Sequence, residues 1–147
     1  MTLTWNDGLK VRIAEAAEVG CLLAAEKVME AGNDLIRSGP KTGAVYDTLF
    51  FTRGSGSERQ IIPYGERDPH QASAPGEAPA YDTGELVAKS RTNAIPGGGQ
   101  AEWYADYAIY LARGTDRIAP RPFDTLALER EQDNIRDIVN RTVAEAL

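Results

Sequence analysis

The first third of the chain carries the periodicity of a long helix. From about Leu9 to Ile36, apolar or small residues recur every three or four positions, the spacing of one helix face. Asn6 and Asp7 are suitable N-cap residues, and Ser38-Gly39-Pro40 predicts the end of the helix. The apolar face is wide and rich in alanine, so we expect either deep burial or contact with another subunit.

A second helix is predicted at the other end of the chain. Apolar residues from about Phe123 to Ala146 fall on one face, with a polar patch over residues 129–133. Pro122 suits the first turn of this helix, and Asp124 lies where the helix dipole favours a negative charge.

Between these helices the pattern changes to short β-prone runs. Residues 45–62 predict a hairpin with a polar, glycine-rich tip. Residues 84–90 are compatible with a short helix or a strand, and residues 91–103 predict extended segments around a Pro-Gly-Gly-Gly turn. We therefore predict one α+β domain over residues 1–147, with long N-terminal and C-terminal helices packed on a small, mostly antiparallel β-sheet.

Residues 63–81 are rich in proline and glycine. Prolines at this density favour extended, polyproline-like backbone and disfavour regular structure. A loop of this length inside a compact domain tends to be functional or to lie against a partner. We interpret residues 63–81 as an extended arm.

Residues 103–124 predict a joint that leads into the last helix. Arg113 and Gly114 have the pattern of a last helical turn and its left-handed cap, and Pro120 prevents continuation. Four aromatic residues lie mostly three or four positions apart, so most are expected to share one face of a short helix: Trp103, Tyr104, Tyr107 and Tyr110.

Composition narrows the classes of function. The net charge of −6 argues against a protein that grips nucleic-acid phosphates over a broad surface, whereas an acidic surface suits one that lets DNA pass. Steeply salt-dependent binding to duplex DNA would instead indicate a nucleic-acid-binding module. No apolar run approaches the length of a membrane span, and the N-terminus has no signal-peptide pattern, so we expect no membrane partner.

The residues with catalytic or metal-binding potential are few. Cys21 is the single cysteine, which excludes an intrachain disulfide, and no cysteine–histidine metal spacing occurs. His70 is the single histidine, with Ser73 and Glu77 nearby, so a small hydrolase using His70 is a remote alternative. No nucleophile elbow or phosphate-binding loop is present. We expect no enzyme activity, no cofactor and no metal.

Three arginines lie close together at the joint. Arg113, Arg117 and Arg121 have little acidic company in sequence except Asp116. They are compatible with ordinary surface charge near a helix C-terminus. The sharper interpretation is a set of contacts with acidic residues of a neighbouring copy.

Several short motifs occur in an order similar to that of a known family. They are Lys41-Thr42-Gly43, the run His70 to Ala80, Asp82-Thr83-Gly84-Glu85-Leu86, Tyr107-Ala108, Gly114-Thr115 and Arg121-Pro122-Phe123. In this combination the chain resembles the tailed-bacteriophage neck and tail-completion proteins. The family usually has a glutamate two positions before the glycine of Gly114-Thr115, where this chain has Ala112.

The resemblance implies a structural virion protein that assembles in the host cytoplasm into a homo-oligomeric ring at the head–tail junction. Six or twelve copies are expected, with genomic DNA passing through the axial channel without sequence-specific binding. Expected partners are the protein itself, head-completion or connector proteins, and tail-terminator or tail-tube proteins. A tail terminator, which caps the tail tube, is the nearest alternative.

Two sets of residues are assigned on this interpretation. The expected subunit or ring contacts are His70, Gln71, Pro75, Glu77, Arg113, Arg117 and Arg121. The structural signature residues are Gly84, Tyr107, Gly114, Thr115, Pro122 and Phe123.

Overall fold

Two long helices and two antiparallel hairpins account for most of the fold. The structure is a computed structural model that describes residues 7–54, 57 and 59–147. In chain order the elements are α1 (Asp7–Ser38), β1 (Val45–Arg53), β2 (Gln60–Gln71), α2 (Glu85–Ala88), β3 (Ser90–Ile95), β4 (Gly98–Trp103), α3 (Ala108–Arg113) and α4 (Phe123–Glu145). The predicted α+β class and both terminal helices are confirmed. The antiparallel β-structure is divided between the pairs β1–β2 and β3–β4.

Helix α1 packs along α4 on one side and against the β3–β4 hairpin on another. Small residues allow this close approach. A Cβ added to Gly20 would lie 3.0 Å from the Cα atom of Val139, and one added to Gly99 would lie 2.4 Å from the carbonyl oxygen of Cys21. These small residues therefore let neighbouring backbone approach α1 closely within the subunit.

The apolar core lies between the C-terminal half of α1, α2, α3 and the start of α4. Phe123 and Ile36 are its largest fully buried side chains. The remaining buried members of this cluster are mostly small residues: Ala78, Leu86, Val87, Ala105, Ala108 and Ala112.

A polar network crosses this core beside α1. The amide of the buried Asn33 donates to Ser90 Oγ at 2.9 Å, and its oxygen accepts from the Trp103 indole nitrogen at 2.9 Å. Ser90 Oγ in turn donates to the carbonyl oxygen of Val87 at 2.7 Å. The network satisfies polar groups that would be costly to bury unpaired, and it fixes α1 against the β3–β4 hairpin.

The predicted aromatic helix face at residues 103–110 is wrong. Trp103 ends β4, where it pairs with Ser90, and α3 begins only at Ala108. The Trp103 ring turns inward and meets Phe123 edge-on, with ring centroids 5.2 Å apart. Tyr104, Tyr107 and Tyr110 are exposed. The pairing of β3 with β4 extends into the start of this aromatic run. The backbone N–H of Tyr104 donates to the Lys89 carbonyl oxygen across the hairpin, so these residues are extended and not helical.

The exit from α3 lies where it was predicted. Gly114 is the C-cap with a positive φ of 76°, but its ψ of −179° is extended instead of left-handed helical, and its N–H donates to the carbonyl oxygen of Tyr110 at 2.9 Å. A side chain here would be strained, since an added Cβ would lie 2.7 Å from the carbonyl oxygen of Ile118. Helix α4 then begins at Phe123, so Pro122 occupies the N-cap, one position before the predicted first turn.

The first hairpin is longer than predicted. Strand β2 continues to Gln71, so the expectation that residues 63–71 lack regular structure is wrong, whereas residues 72–84 do form no helix or strand. Strand β2 contains Pro63 and Pro69 and has extra residues relative to β1 at two register shifts. A two-stranded ladder tolerates proline because each strand is an edge strand. Of the predicted hairpin, Ser55 and Gly56 in the tip and Glu58 in the returning strand lie outside the described residues.

The β1–β2 hairpin stands apart from the core. Its described residues pair with each other and pack extensively against no other helix or strand. At about 3.3 Å per residue, the twelve residues of β2 extend for up to about 40 Å. Large side chains remain exposed along it: Val45, Tyr46, Ile61 and Tyr64.

Candidate functional site: the cleft at the root of the long hairpin

A cleft of about 490 Å³ lies where the β1–β2 hairpin joins the rest of the molecule. We call it the root cleft. Its walls combine residues from β2, the 72–84 loop, α2, α3 and the turn after α3. The lining includes His70, Ser73, Tyr81, Asp82, Glu85, Leu86, Tyr107, Leu111, Ile118 and Arg121. Motif segments that are far apart in sequence therefore meet at one place.

Arg121 fastens the 72–84 loop to the segment before α4. Its Nε donates to Ser73 Oγ at 2.9 Å, and its Nη2 donates to the Ser73 carbonyl oxygen at 3.0 Å. Nη1 donates to the carbonyl oxygen of Ala119 at 2.7 Å. The guanidinium group, expected to contact another copy, thus bonds to several acceptors inside its own subunit, and Ser73 is buried.

Glu77 fastens the same loop to the residues after α1. Its carboxylate accepts from the Thr42 hydroxyl at 2.6 Å, from the Thr42 N–H at 3.0 Å and from the Ala74 N–H at 2.7 Å. These hydrogen bonds, led by the Thr42 hydroxyl, hold the pKa of the Glu77 carboxyl below its usual value. Gly43 is required beside this contact, because an added Cβ would lie 2.7 Å from the carbonyl oxygen of Ser73.

Lys41 closes the C-terminus of α1. Its Nζ donates to the carbonyl oxygens of Leu35 at 3.0 Å, Gly39 at 2.9 Å and Pro40 at 3.3 Å. A cation at this end of a helix satisfies carbonyl groups that have no partner within the helix. Partial burial lowers the pKa of Lys41. The Lys41-Thr42-Gly43 motif is accordingly a structural joint between α1 and the loop.

The other two arginines differ in their surroundings. Arg113 Nη2 lies 3.0 Å from Asp124 Oδ2, an ion pair that joins the end of α3 to the first turn of α4. Arg117 is exposed in the turn after Gly114, where Thr115 Oγ1 accepts from the backbone N–H groups of Arg117 and Ile118. Of the three arginines, Arg117 is the one whose guanidinium group makes no hydrogen bond or ion pair with the other described residues.

The remaining predicted contact residues lie around the hairpin root. His70 pairs with Tyr46 on β1 and is half-buried in the root cleft. The side-chain amide of Gln71 donates to the carbonyl oxygen of Gly43. Pro75 is exposed in a turn closed by the hydrogen bond from Glu77 N–H to the Ala74 carbonyl oxygen.

The cleft does not assemble a nucleophile and a base. Ser73 Oγ accepts from Arg121, and no hydrogen bond joins His70 to Ser73 or Glu77 among the residues that the structure describes. A serine nucleophile needs a base in hydrogen-bond reach. This geometry gives no support to the hydrolase alternative.

Two signature residues shape the wall formed by α2 and α3. Gly84 has φ of 80°, and an added Cβ would lie 2.5 Å from the Tyr81 hydroxyl oxygen. Tyr107 lines the cleft, and the partial burial of its ring in the cleft wall raises the pKa of its phenol. Ala112 is buried in the core behind this wall, so a glutamate at its position would place a carboxylate among apolar side chains.

No group of three or more histidine, cysteine or acidic side chains suited to a metal ion occurs within residues 7–54, 57 and 59–147. In the same part of the chain, the helices lack a stretch long and apolar enough to cross a membrane. Comparison with known proteins yields no match to any family model, curated protein or solved structure.

Proposed function

We propose that the protein is a structural subunit of a tailed-phage virion that forms a ring at the head–tail junction and joins head to tail around the DNA channel. The observation that carries this proposal is the β1–β2 hairpin, a long ribbon with exposed Val45, Tyr46, Ile61 and Tyr64 that packs extensively on no other helix or strand of the described chain. A two-stranded hairpin of this kind is marginally stable alone in water. Its exposed apolar side chains are therefore best explained by burial against a neighbouring subunit.

The contacts at the hairpin root support a mechanical role for the motif residues. Arg121, Glu77 and Lys41 each bond to backbone or side-chain groups of the loop and helix that flank the hairpin. These contacts set the direction in which the ribbon leaves the body. An assembly protein needs this directional precision because every interface in a closed ring repeats the same angle.

Helix α1 offers a second candidate surface for assembly. Val11, Val19 and Leu23 are exposed on it, although the same helix buries a separate face against α4. Clusters of exposed apolar side chains with a polar surround are typical of protein interfaces. The net charge of −6 is compatible with a channel that does not retain DNA.

The proposal is tested by deleting the gene from its phage and complementing with plasmid-borne variants. We expect lysates without the protein to contain DNA-filled heads and separate tails of normal length in electron micrographs. Normal infectious particles would overturn the proposal, and overlong tails would indicate a tail terminator. The His70→Ala variant distinguishes this proposal from a hydrolase that uses His70. On the structural proposal, the variant should restore head–tail joining nearly as well as the unchanged protein, whereas a hydrolase would lose its function.

A further inference from the structure

We propose that the outer edge of β1 pairs with the outer edge of β1 in a second copy of the chain, antiparallel and with Phe50 at the two-fold axis. The two hairpins then form one four-stranded sheet. The proposal goes beyond the ring function and does not rest on it, because an edge contact leaves both faces of the ribbon free for other subunits.

The outer edge of β1 is the better of the two open edges of the hairpin. In the two-stranded ladder, each strand has one edge with no further strand beside it in the described chain. Strand β2 contains Pro63 and Pro69, which lack an N–H group, and it carries the extra residues at both register shifts. Strand β1 has neither feature, and most of its nine residues are β-branched or aromatic. A strand that adds to this hairpin is therefore expected on the β1 side.

The charges of β1 are available to a partner strand. The strand contains two charged residues of opposite sign, Asp47 and Arg53, and both are exposed. The guanidinium group of Arg53 has no hydrogen bond or ion pair with the described residues, and the Asp47 carboxylate accepts only from the hydroxyl of its neighbour Thr48. Within the ladder, Arg53 lies opposite the neutral Gln60, whereas Asp47 lies at a register shift and has no residue paired with it. Neither charge is thus neutralised by its own hairpin.

These charges select a second β1 as the partner and fix the register. With Phe50 opposite its own copy, Asp47 of each chain faces Arg53 of the other, and residues 47–53 of both chains are paired. Opposite charges at directly facing positions stabilise an antiparallel pair. Every other antiparallel register separates the two charges, and an in-register parallel pairing sets like charges side by side. The charge pattern of β1 is therefore complementary to itself in a single arrangement.

The length of the hairpin keeps the two bodies apart in this arrangement. Val45, where β1 begins, precedes Phe50 by five positions, so the two Val45 residues lie about ten residues, or about 33 Å, apart along the strands. A two-stranded hairpin is marginally stable in water, whereas three or more strands with an apolar face are stable. Pairing therefore orders a ribbon that packs extensively on no other helix or strand of the described chain. Because both copies use the same surface, the contact is isologous.

Sedimentation equilibrium of the full-length protein at several concentrations tests the contact. We expect the mass of a dimer at about 1 mM, where a contact with a sub-millimolar dissociation constant is mostly occupied. Asp47→Arg and Arg53→Asp should each weaken dimerisation at least several-fold, because each sets like charges opposite one another twice per dimer. Circular dichroism checks that the variants are folded. An unchanged protein that stays monomeric at this concentration overturns the proposal, as do folded variants that dimerise equally well.

A mixture of the two variants tests the register itself. The Asp47→Arg chain has two cations at the facing positions, and the Arg53→Asp chain has two anions there. A one-to-one mixture should therefore form a heterodimer about as readily as the unchanged protein forms its dimer. The double variant Asp47→Arg/Arg53→Asp restores opposite charges and should dimerise with itself. A mixture that stays as monomeric as its two components overturns the proposal.

Two variants on α4 control for a general effect of charge. Asp133→Arg and Arg141→Asp make the same changes of charge at exposed positions outside the hairpin. Each should dimerise like the unchanged protein, and mixing them should add nothing. If they weaken dimerisation as much as the β1 variants do, the proposal is overturned. The measurement uses the purified subunit, so its outcome is independent of the head–tail joining that tests the ring function.

Discussion

Gly32 lies beneath the indole ring of Trp103 at the crossing of α1 and β4. An added Cβ would stand 2.4 Å from the Cζ2 atom of that ring. The ring is itself fixed by its hydrogen bond to Asn33 and by its edge contact with Phe123. This position therefore has no room for a methyl group unless the core shifts.

We expect Gly32→Ala to destabilise the protein by about 1–3 kcal/mol, the usual cost of overpacking a core. Urea denaturation followed by circular dichroism measures the change. Gly98→Ala is the matched control, because its added Cβ would meet only ordinary contacts, the nearest at 3.7 Å. A Gly32→Ala protein as stable as the control would show that the α1–β4 packing is looser than described.

Glu77 couples the stability of the loop to pH. The pKa of its carboxyl group is lowered in the folded state, so the ionised group stabilises the fold. This contribution to the free energy of unfolding is complete above the unfolded pKa of about 4.3, and it disappears as pH falls through the lower folded pKa. Its ionised carboxylate accepts three hydrogen bonds from Thr42 and Ala74. Protonation of this carboxylate, or its replacement by the amide of glutamine, removes acceptor sites that these hydrogen bonds use and introduces a donor in their place.

We expect Glu77→Gln to lower the melting temperature by a few degrees near pH 7, with the difference from the unchanged protein shrinking below about pH 4. Melting curves across this pH range provide the measurement. Glu145→Gln, at the exposed end of α4, is the control. A difference that is independent of pH would contradict the role assigned to the Glu77 carboxylate.

At the scale of elements, the periodicity of apolar residues predicts those helices whose extent depends on local sequence alone. The repeat in α1 and α4 gives both helices to within a few residues, because a long amphipathic pattern has one regular solution. The errors lie where two local patterns compete. Residues 63–71 look irregular by their prolines but pair with β1, and Trp103 matches a helical spacing but belongs to a strand.

The hairpin should be separable from the fold. Tyr46 and His70 are paired in the ladder, so residues 47–69 can be replaced by Asn-Gly, which suits a two-residue hairpin turn. We expect the shortened protein to melt within a few degrees of the full chain, since little of the described hairpin packs on the core. It should fail to restore head–tail joining. Loss of the folded state would contradict the independence of the core.

At the scale of the whole molecule, the hydrogen bonds that connect distant motifs could not be predicted from the sequence. The Thr42–Glu77 and Ser73–Arg121 hydrogen bonds span 35 and 48 positions, so no local spacing predicts them. The motifs and their order are visible in the sequence, whereas their convergence on one cleft depends on how α1 and α4 pack. The same holds for Asn33, which is polar on an otherwise apolar face and whose partners come from two other elements.

The prolines and register shifts of β2 have a consequence for the unassembled protein. Strand β1 has no proline between Val45 and Arg53, so its outer edge can accept another strand, whereas Pro63 and Pro69 remove two N–H donors from β2. Fibril growth by strand addition requires two usable edges on every molecule. With one edge impaired, such pairing should end at two chains, so a pool of free subunits has built-in resistance to forming fibrils at high concentration.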